Sequence, residues 1–215
     1  MNFSDFFLVK YASDIFAATG KHLFLVGTAI FFASIIGIPL GVVITRQANL
    51  RQPILGIANI LQTIPSLALF GFLLPIPYIG GIGERTAIIA LTLYSFLPII
   101  RNTYTGIANI DPAIREAGRG MGMTSRQLLL QVEIPLALGV ILAGVRVAAV
   151  IGVGVATIAA AIGAGGLGEF VFRGIATLNN QLILAGAVPA AAIALLLDVA
   201  IGWLEWRFTK VRERS

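Results

Sequence analysis

The sequence has no cysteine and a single histidine, His22. The first absence excludes disulfides, thiolate metal sites and cysteine nucleophiles. The second leaves too few imidazoles for a histidine-based metal cluster, and no cofactor is expected. His22 stands at the mouth of the first apolar run and reads as an interfacial residue. Charge is also scarce: 12% of the 215 residues are charged, against about 25% in a soluble domain. No Walker-type phosphate loop is present, so the chain does not bind ATP by that route. No Ser–His pair or paired carboxylates stand within the apolar runs, so nothing catalytic is expected.

What the chain has instead is apolar length. Hydrophobic residues make up 58% of it, and several runs reach the ~20 residues needed to cross a bilayer. The composition predicts an all-α integral membrane protein with five transmembrane helices, or six. The five runs lie at about 22–44, 54–74, 86–104, 136–161 and 182–205. Residues 22–206 form the membrane domain. Before it, Phe3, Phe6, Phe7 and Lys10 recur at helical spacing, so 1–21 reads as a short interfacial segment outside the membrane. That segment lacks the basic start and apolar core of a cleaved signal peptide. After the domain comes a basic tail, 207–215.

The net charge of +5 would suggest nucleic acid only in a soluble chain. In a membrane protein the distribution of basic residues matters more. Arg46, Arg51, Arg101, Arg115, Arg119, Arg126, Arg207, Lys210, Arg212 and Arg214 fall on one side. Lys10, Lys21, Arg85 and Arg173 fall on the other. The richer side is expected to be cytoplasmic, which puts the N-terminus outside. No nucleic-acid partner is expected. Trp203 and Trp206 suit an aromatic belt at the inner interface.

Polar residues inside the runs form stripes. Asn59, Gln62, Thr63 and Ser66 are spaced i, i+3, i+4, i+7, which places them on one face of a second span. Pro65 is expected to kink that span. Thr92, Ser95 and Asn102 share a face of the third. Facing lipid is unfavourable for such groups, so they line a translocation pathway or tie helices together. In the fourth run Gly144, Ala148, Gly152, Ala156 and Ala160 recur every four residues, a pattern that lets helix backbones approach closely. This ladder predicts tight packing, inside the subunit or across a dimer. Arg146 and Asp198 are charges within spans. Either could bind a solute, but structural pairing is the simpler expectation.

Between the third and fourth runs lies a polar, basic stretch, 109–135. Asp111-Pro112 opens a helix: Asp caps free amides, and Pro suits the first helical position. Ala113, Glu116 and Ala117 fall on one narrow face. Gly118, Gly120 and Gly122 are expected to stop this helix. Thr124 with Gln127 reads as a capping box for a second helix. Pro135 disfavours helix at Ile134, so the chain is expected to bend before the fourth run. An amphipathic connector or a helix-turn-helix DNA reader shows similar caps, but a DNA reader does not normally sit between two membrane spans.

Glu116-Ala117, Gly122, Val132, Ile134 and Pro135 resemble, in type and spacing, the Glu-Ala-Ala loop of ABC importer permeases. Gly118 departs from it, standing where that loop usually has its second Ala. Four further stretches are similar to the osmoprotectant uptake group of those permeases: QTIPS at 62–66, PIIRNTYTGI at 98–107, EAGRGMGM at 116–123 and IGAGGLG at 162–168. The resemblance implies a type I ABC importer permease core in a bacterial inner (plasma) membrane. It implies a cytoplasmic ABC ATPase dimer beneath, an extracytoplasmic substrate-binding protein above, and a second permease subunit, identical or not. The group's substrates are quaternary amines such as glycine betaine, carnitine and choline. A methionine-type importer group shares the same core, and a channel without an ATPase shares the composition. On this resemblance Pro112–Arg119 and Ser125–Val132 would be coupling helices. Ala113, Glu116, Ala117, Gly118, Gly122, Thr124, Gln127 and Pro135 would form the ATPase-coupling set, with Glu116 facing the ATPase and Gly122 permitting the turn.

Overall fold

The computed structural model of the chain describes residues 11–212, with side chains through Phe208. The expected surface helix around Phe3–Lys10 lies outside the described residues. From Ala12 the chain is already in a long helix, α1 (Ala12–Arg46). Residues 12–21, assigned above to the interfacial segment, therefore continue directly into the first span.

The expected second span is two helices, α2 (Ala48–Thr63) and α3 (Ser66–Leu73), bent against each other by 102°. Pro65 explains where the break falls. It pushes Ile64 out of the helical region, to φ −66° and ψ 127°. The Tyr94 hydroxyl, from the next helix, donates to the freed Ile64 carbonyl. The break is thus much sharper than a kink. Ser66 lies beyond it, so it does not share a helix face with Asn59, Gln62 and Thr63 as the i+7 spacing implied.

Helix α4 (Glu84–Ala108) forms the third span. A short helix, α5 (Pro112–Gly120), follows outside the apolar runs. Then comes one rod, Ser125–Ile162. It consists of α6 (Ser125–Leu128), a π-helical turn (Leu129–Glu133), α7 (Ile134–Ala159) and a final 3-10 turn. The chain does not stop and bend before Pro135. Proline lacks an N–H and crowds the preceding turn, and the wider π turn directly before it takes up that mismatch. The expected second coupling helix, Ser125–Val132, is therefore the start of the fourth span. Helix α8 (Gly168–Ala176) and the last span, α9 (Asn180–Arg212), complete the chain. Among the described residues four helices are long and apolar enough to cross a membrane, and five spans result when the bent pair counts as one. A sixth is not found among them.

The long helices pack in sequence: α1 on α4, α4 on α7, α7 on α9. Leu25, Phe70, Leu91, Val153 and Ile193 meet in the main buried cluster. Between membrane helices, close packing supplies what hydrophobic burial supplies in water. The four-residue ladder provides it inside the subunit. A Cβ on Gly144 would lie 2.7 Å from both the Asn102 Cβ and the Pro98 carbonyl of α4. Ala148 and Ala156 are fully buried.

Two polar groups stand apart from this packing. His22 is fully buried, with Nε2 donating to the Val153 carbonyl of α7 at 3.2 Å. Arg146 is paired, with Asp198 at 3.8 Å and with Glu205 at 3.2 Å, both on α9. Neither Arg146 nor Asp198 is thus left as a free charge within the spans.

Candidate functional site

The stretch between α4 and α7 builds its local structure from its own sequence. The Asp111 carboxylate accepts from the Ala113 amide at 2.8 Å, with Pro112 in the first turn. This cap opens α5. The helix runs on through Gly118 and ends at Gly120, so Gly118 is part of it. Gly122 makes the turn with φ +80°, a conformation that costs side-chain-bearing residues energy. The capping box opens the rod: the Thr124 amide donates to Gln127 Oε1 at 2.8 Å, and the Gln127 amide to Thr124 Oγ1 at 3.3 Å.

The two faces of α5 differ. Ala113, Glu116 and Ala117 are exposed together, as their spacing predicted. Glu116 has no hydrogen bond or ion pair among the described residues, so an acidic, otherwise small-residue face is left open. The opposite face turns Gly118 and Arg115 inward. Gly118 is buried, and a Cβ on it would lie 2.7 Å from Leu128 Cδ1 and 3.3 Å from Met123 Sδ.

Arg115 leads to a residue that the sequence reading passed over. Arg115 Nε donates to Glu133 Oε1 at 2.8 Å, and Nη1 to the Ile110 carbonyl at 3.2 Å. Its Nη2 donates to the Ile107 carbonyl. The other Glu133 oxygen accepts from Arg46 Nη2, at the end of α1. The Glu133 side chain is fully buried. A buried carboxylate is expensive unless paired and hydrogen-bonded, and two guanidinium groups meet that requirement here. A signal was present in the sequence. Glu133 is the only acidic residue between Glu116 and Glu169, and apolar Val132 and Ile134 flank it.

The polar residues of the spans separate into two groups. Asn59 and Thr63 are exposed on α2, and Gln62 is half-buried beside them. Ser66 is half-buried at the start of α3. Thr63 Oγ1 donates to the Ile60 carbonyl at 2.8 Å. On α4, Thr92, Ser95 and Asn102 each donate to the carbonyl four residues earlier in their own helix, at 2.7, 2.8 and 2.8 Å. Thr92 also reaches the Ala29 carbonyl of α1 at 3.4 Å, and Asn102 lies beside Gly144 of α7. These three thus sit at helix seams, while the α2 group lies on an open face.

Residues 27–210 match the family described as the binding-protein-dependent transport system inner membrane component. The chain is 48% identical over 195 residues to the carnitine transport permease protein OpuCD of Listeria monocytogenes, covering 90% of this chain and 86% of that one. It is 47% identical over 207 residues to the osmoprotectant import permease protein OsmW of Salmonella typhimurium, covering 95% and 94%. The glycine betaine/carnitine/choline transport system permease protein OpuCD of Bacillus subtilis is 45% identical over 91% of this chain and 84% of its own. Among solved structures, a chain of the MetNI methionine ABC transporter in an inward-facing conformation superimposes with a TM-score of 0.82 at 25% identity, over 90% of this chain and 95% of that one. With that match across most of its length, the chain belongs to the inner membrane components of binding-protein-dependent transport systems, and is a multi-pass membrane permease.

Proposed function

We propose that this chain is the permease subunit of an ATP-driven importer for quaternary-amine osmoprotectants: glycine betaine, carnitine, choline or a close relative. One observation carries the coupling part of the reading. Helix α5 lies outside the apolar runs and presents Ala113, Glu116 and Ala117 as an open, narrow, acidic face. Such a face is suited to entering a groove on a cytoplasmic ATPase. The substrate class rests on permeases 48%, 45% and 43% identical in sequence, whose names specify carnitine, choline and glycine betaine. The methionine transporter is more distant, at 25% identity, and supports the fold rather than the solute.

In this reading two permease subunits meet in the membrane, and an ATPase dimer binds beneath them. ATP closes the ATPases and draws the two α5 helices together. The spans then rearrange, and the pathway opens to a loaded binding protein outside. Hydrolysis resets it. Asn59, Gln62, Thr63 and Ser66 are assigned to the pathway, because in the single subunit they lie on or beside an open face. Thr92, Ser95 and Asn102 are assigned to helix packing, because their donors already serve carbonyls at helix seams. Hydrolysis belongs to the separate ATPase, and this chain converts its motion.

Co-purification tests the assignment. The tagged permease is expected to retain an ATPase and an extracytoplasmic binding protein whose ligand is a trimethylammonium compound. A stable complex whose binding protein takes only methionine would move the chain to the other group.

A further inference from the structure

Helix α5 touches the rest of the chain with little. Ala113, Ile114, Glu116, Ala117, Arg119 and Gly120 are all exposed. The one long side chain it sends inward is Arg115, and that side chain gathers three elements. It donates to the Ile107 carbonyl in the last turn of α4, where a helix leaves acceptors without α-helical partners, and to the Ile110 carbonyl just past that helix. It pairs with Glu133, in the π turn of the rod. Glu133 in turn holds Arg46, the last residue of α1.

We propose that Glu133 is the joint that makes α1 move with α5 and the rod. Its buried carboxylate clasps Arg115 from α5 and Arg46 from α1 at once. The inference rests on the importer reading above and names the residue that carries its motion inward. Charge-assisted hydrogen bonds are directional. With the Glu133 side chain wholly buried, separating it from either arginine removes half of the pairing that compensates its charge. Displacement of α5 therefore pulls α1 through Glu133, and not only through the connecting chain. The π turn is the natural place for such a residue, because π turns are frequent at functional sites. Glu133 is a positioning residue: it touches neither solute nor nucleotide.

The test uses the permease–ATPase complex in proteoliposomes with the loaded binding protein, and reads solute imported per ATP hydrolysed. Arg46→Gln leaves the Glu133–Arg115 pair in place. It is expected to retain assembly and lower that ratio about tenfold. Arg46→Lys, which keeps the charge, is expected to restore most of it. Glu133→Gln is expected to lower the ratio at least as far as Arg46→Gln. A purely structural role would shift the thermal midpoint and leave the ratio of the assembled complex unchanged. A ratio within about twofold of wild type in Arg46→Gln, with the wild-type complex coupled, overturns the joint and spares the importer reading. Failure of both Gln variants to assemble assigns the cluster to folding, and also overturns it. A wild-type complex with no ATP-driven uptake overturns the importer reading and the joint with it.

Discussion

Gly118 lies directly against Leu128, so close that a Cβ would come within 2.7 Å of Leu128 Cδ1. This contact joins the short α5 helix to the start of the rod. Glycine, standing where the Glu-Ala-Ala loop usually has alanine, lets the two approach this closely. The first prediction follows from it. Gly118→Leu overpacks the contact and is expected to cost about 1–3 kcal/mol. Gly118→Ala is expected to cost less, because the end of Leu128 and the Met123 thioether can swing aside. The thermal midpoint of the purified protein should rank wild type above the Ala variant, and the Ala variant above the Leu variant. An unchanged midpoint for Gly118→Leu would mean that the contact is loose.

Gly122 and Ala117 test the coupling surface without touching a span. At φ +80°, Gly122→Val is expected to strain the turn by about 1–3 kcal/mol. Ala117→Trp adds bulk to the exposed face and nothing to the interior. Both are expected to leave the membrane core folded and to weaken ATPase association or stimulated hydrolysis. Size-exclusion profiles and hydrolysis with loaded binding protein provide the check.

The open face of α2 is predicted to line the pathway. Asn59→Leu with Gln62→Leu should slow uptake and leave complex assembly and binding-protein affinity as they were. Normal uptake by the double variant would reduce the stripe to packing.

Orientation is open to direct labelling. Ile82 is 86% exposed in the loop before α4, and Ser125 is exposed at the head of the rod. In intact cells an impermeant thiol reagent should modify Ile82→Cys and not Ser125→Cys. Gly80 is unsuitable for this purpose, since a Cβ there would lie 2.0 Å from the Leu73 carbonyl. Labelling of Ser125→Cys in intact cells would invert the topology.

Local signals were reliable guides to structure. Asp111-Pro112 and the Thr124–Gln127 box form the caps they spell, because their partners lie within three residues. Pro65 marked the break in the second span, but its 102° angle involves Tyr94, 30 residues from Ile64. Pro135 was misleading because a π turn absorbs it, and a π turn has no clear sequence signature. The burial of His22 was not legible because its partner, Val153, is 131 residues distant. Glu133 was missed for the same reason: Arg46 is 87 residues away and Arg115 is 18. What escaped the sequence was the pairing of buried polar groups across helices, which only the packed bundle defines. The open face of α5 was legible because helical spacing alone places Ala113, Glu116 and Ala117 together.

The central claim is that this chain moves its solute only when an ATPase moves it. The most direct measurement is uptake of labelled glycine betaine into proteoliposomes holding the permease–ATPase complex, with loaded binding protein outside and ATP inside. The account predicts accumulation above the external concentration, abolished when ATP is omitted or the binding protein left out. Equal uptake without ATP, levelling at the external concentration, would contradict it and identify a channel.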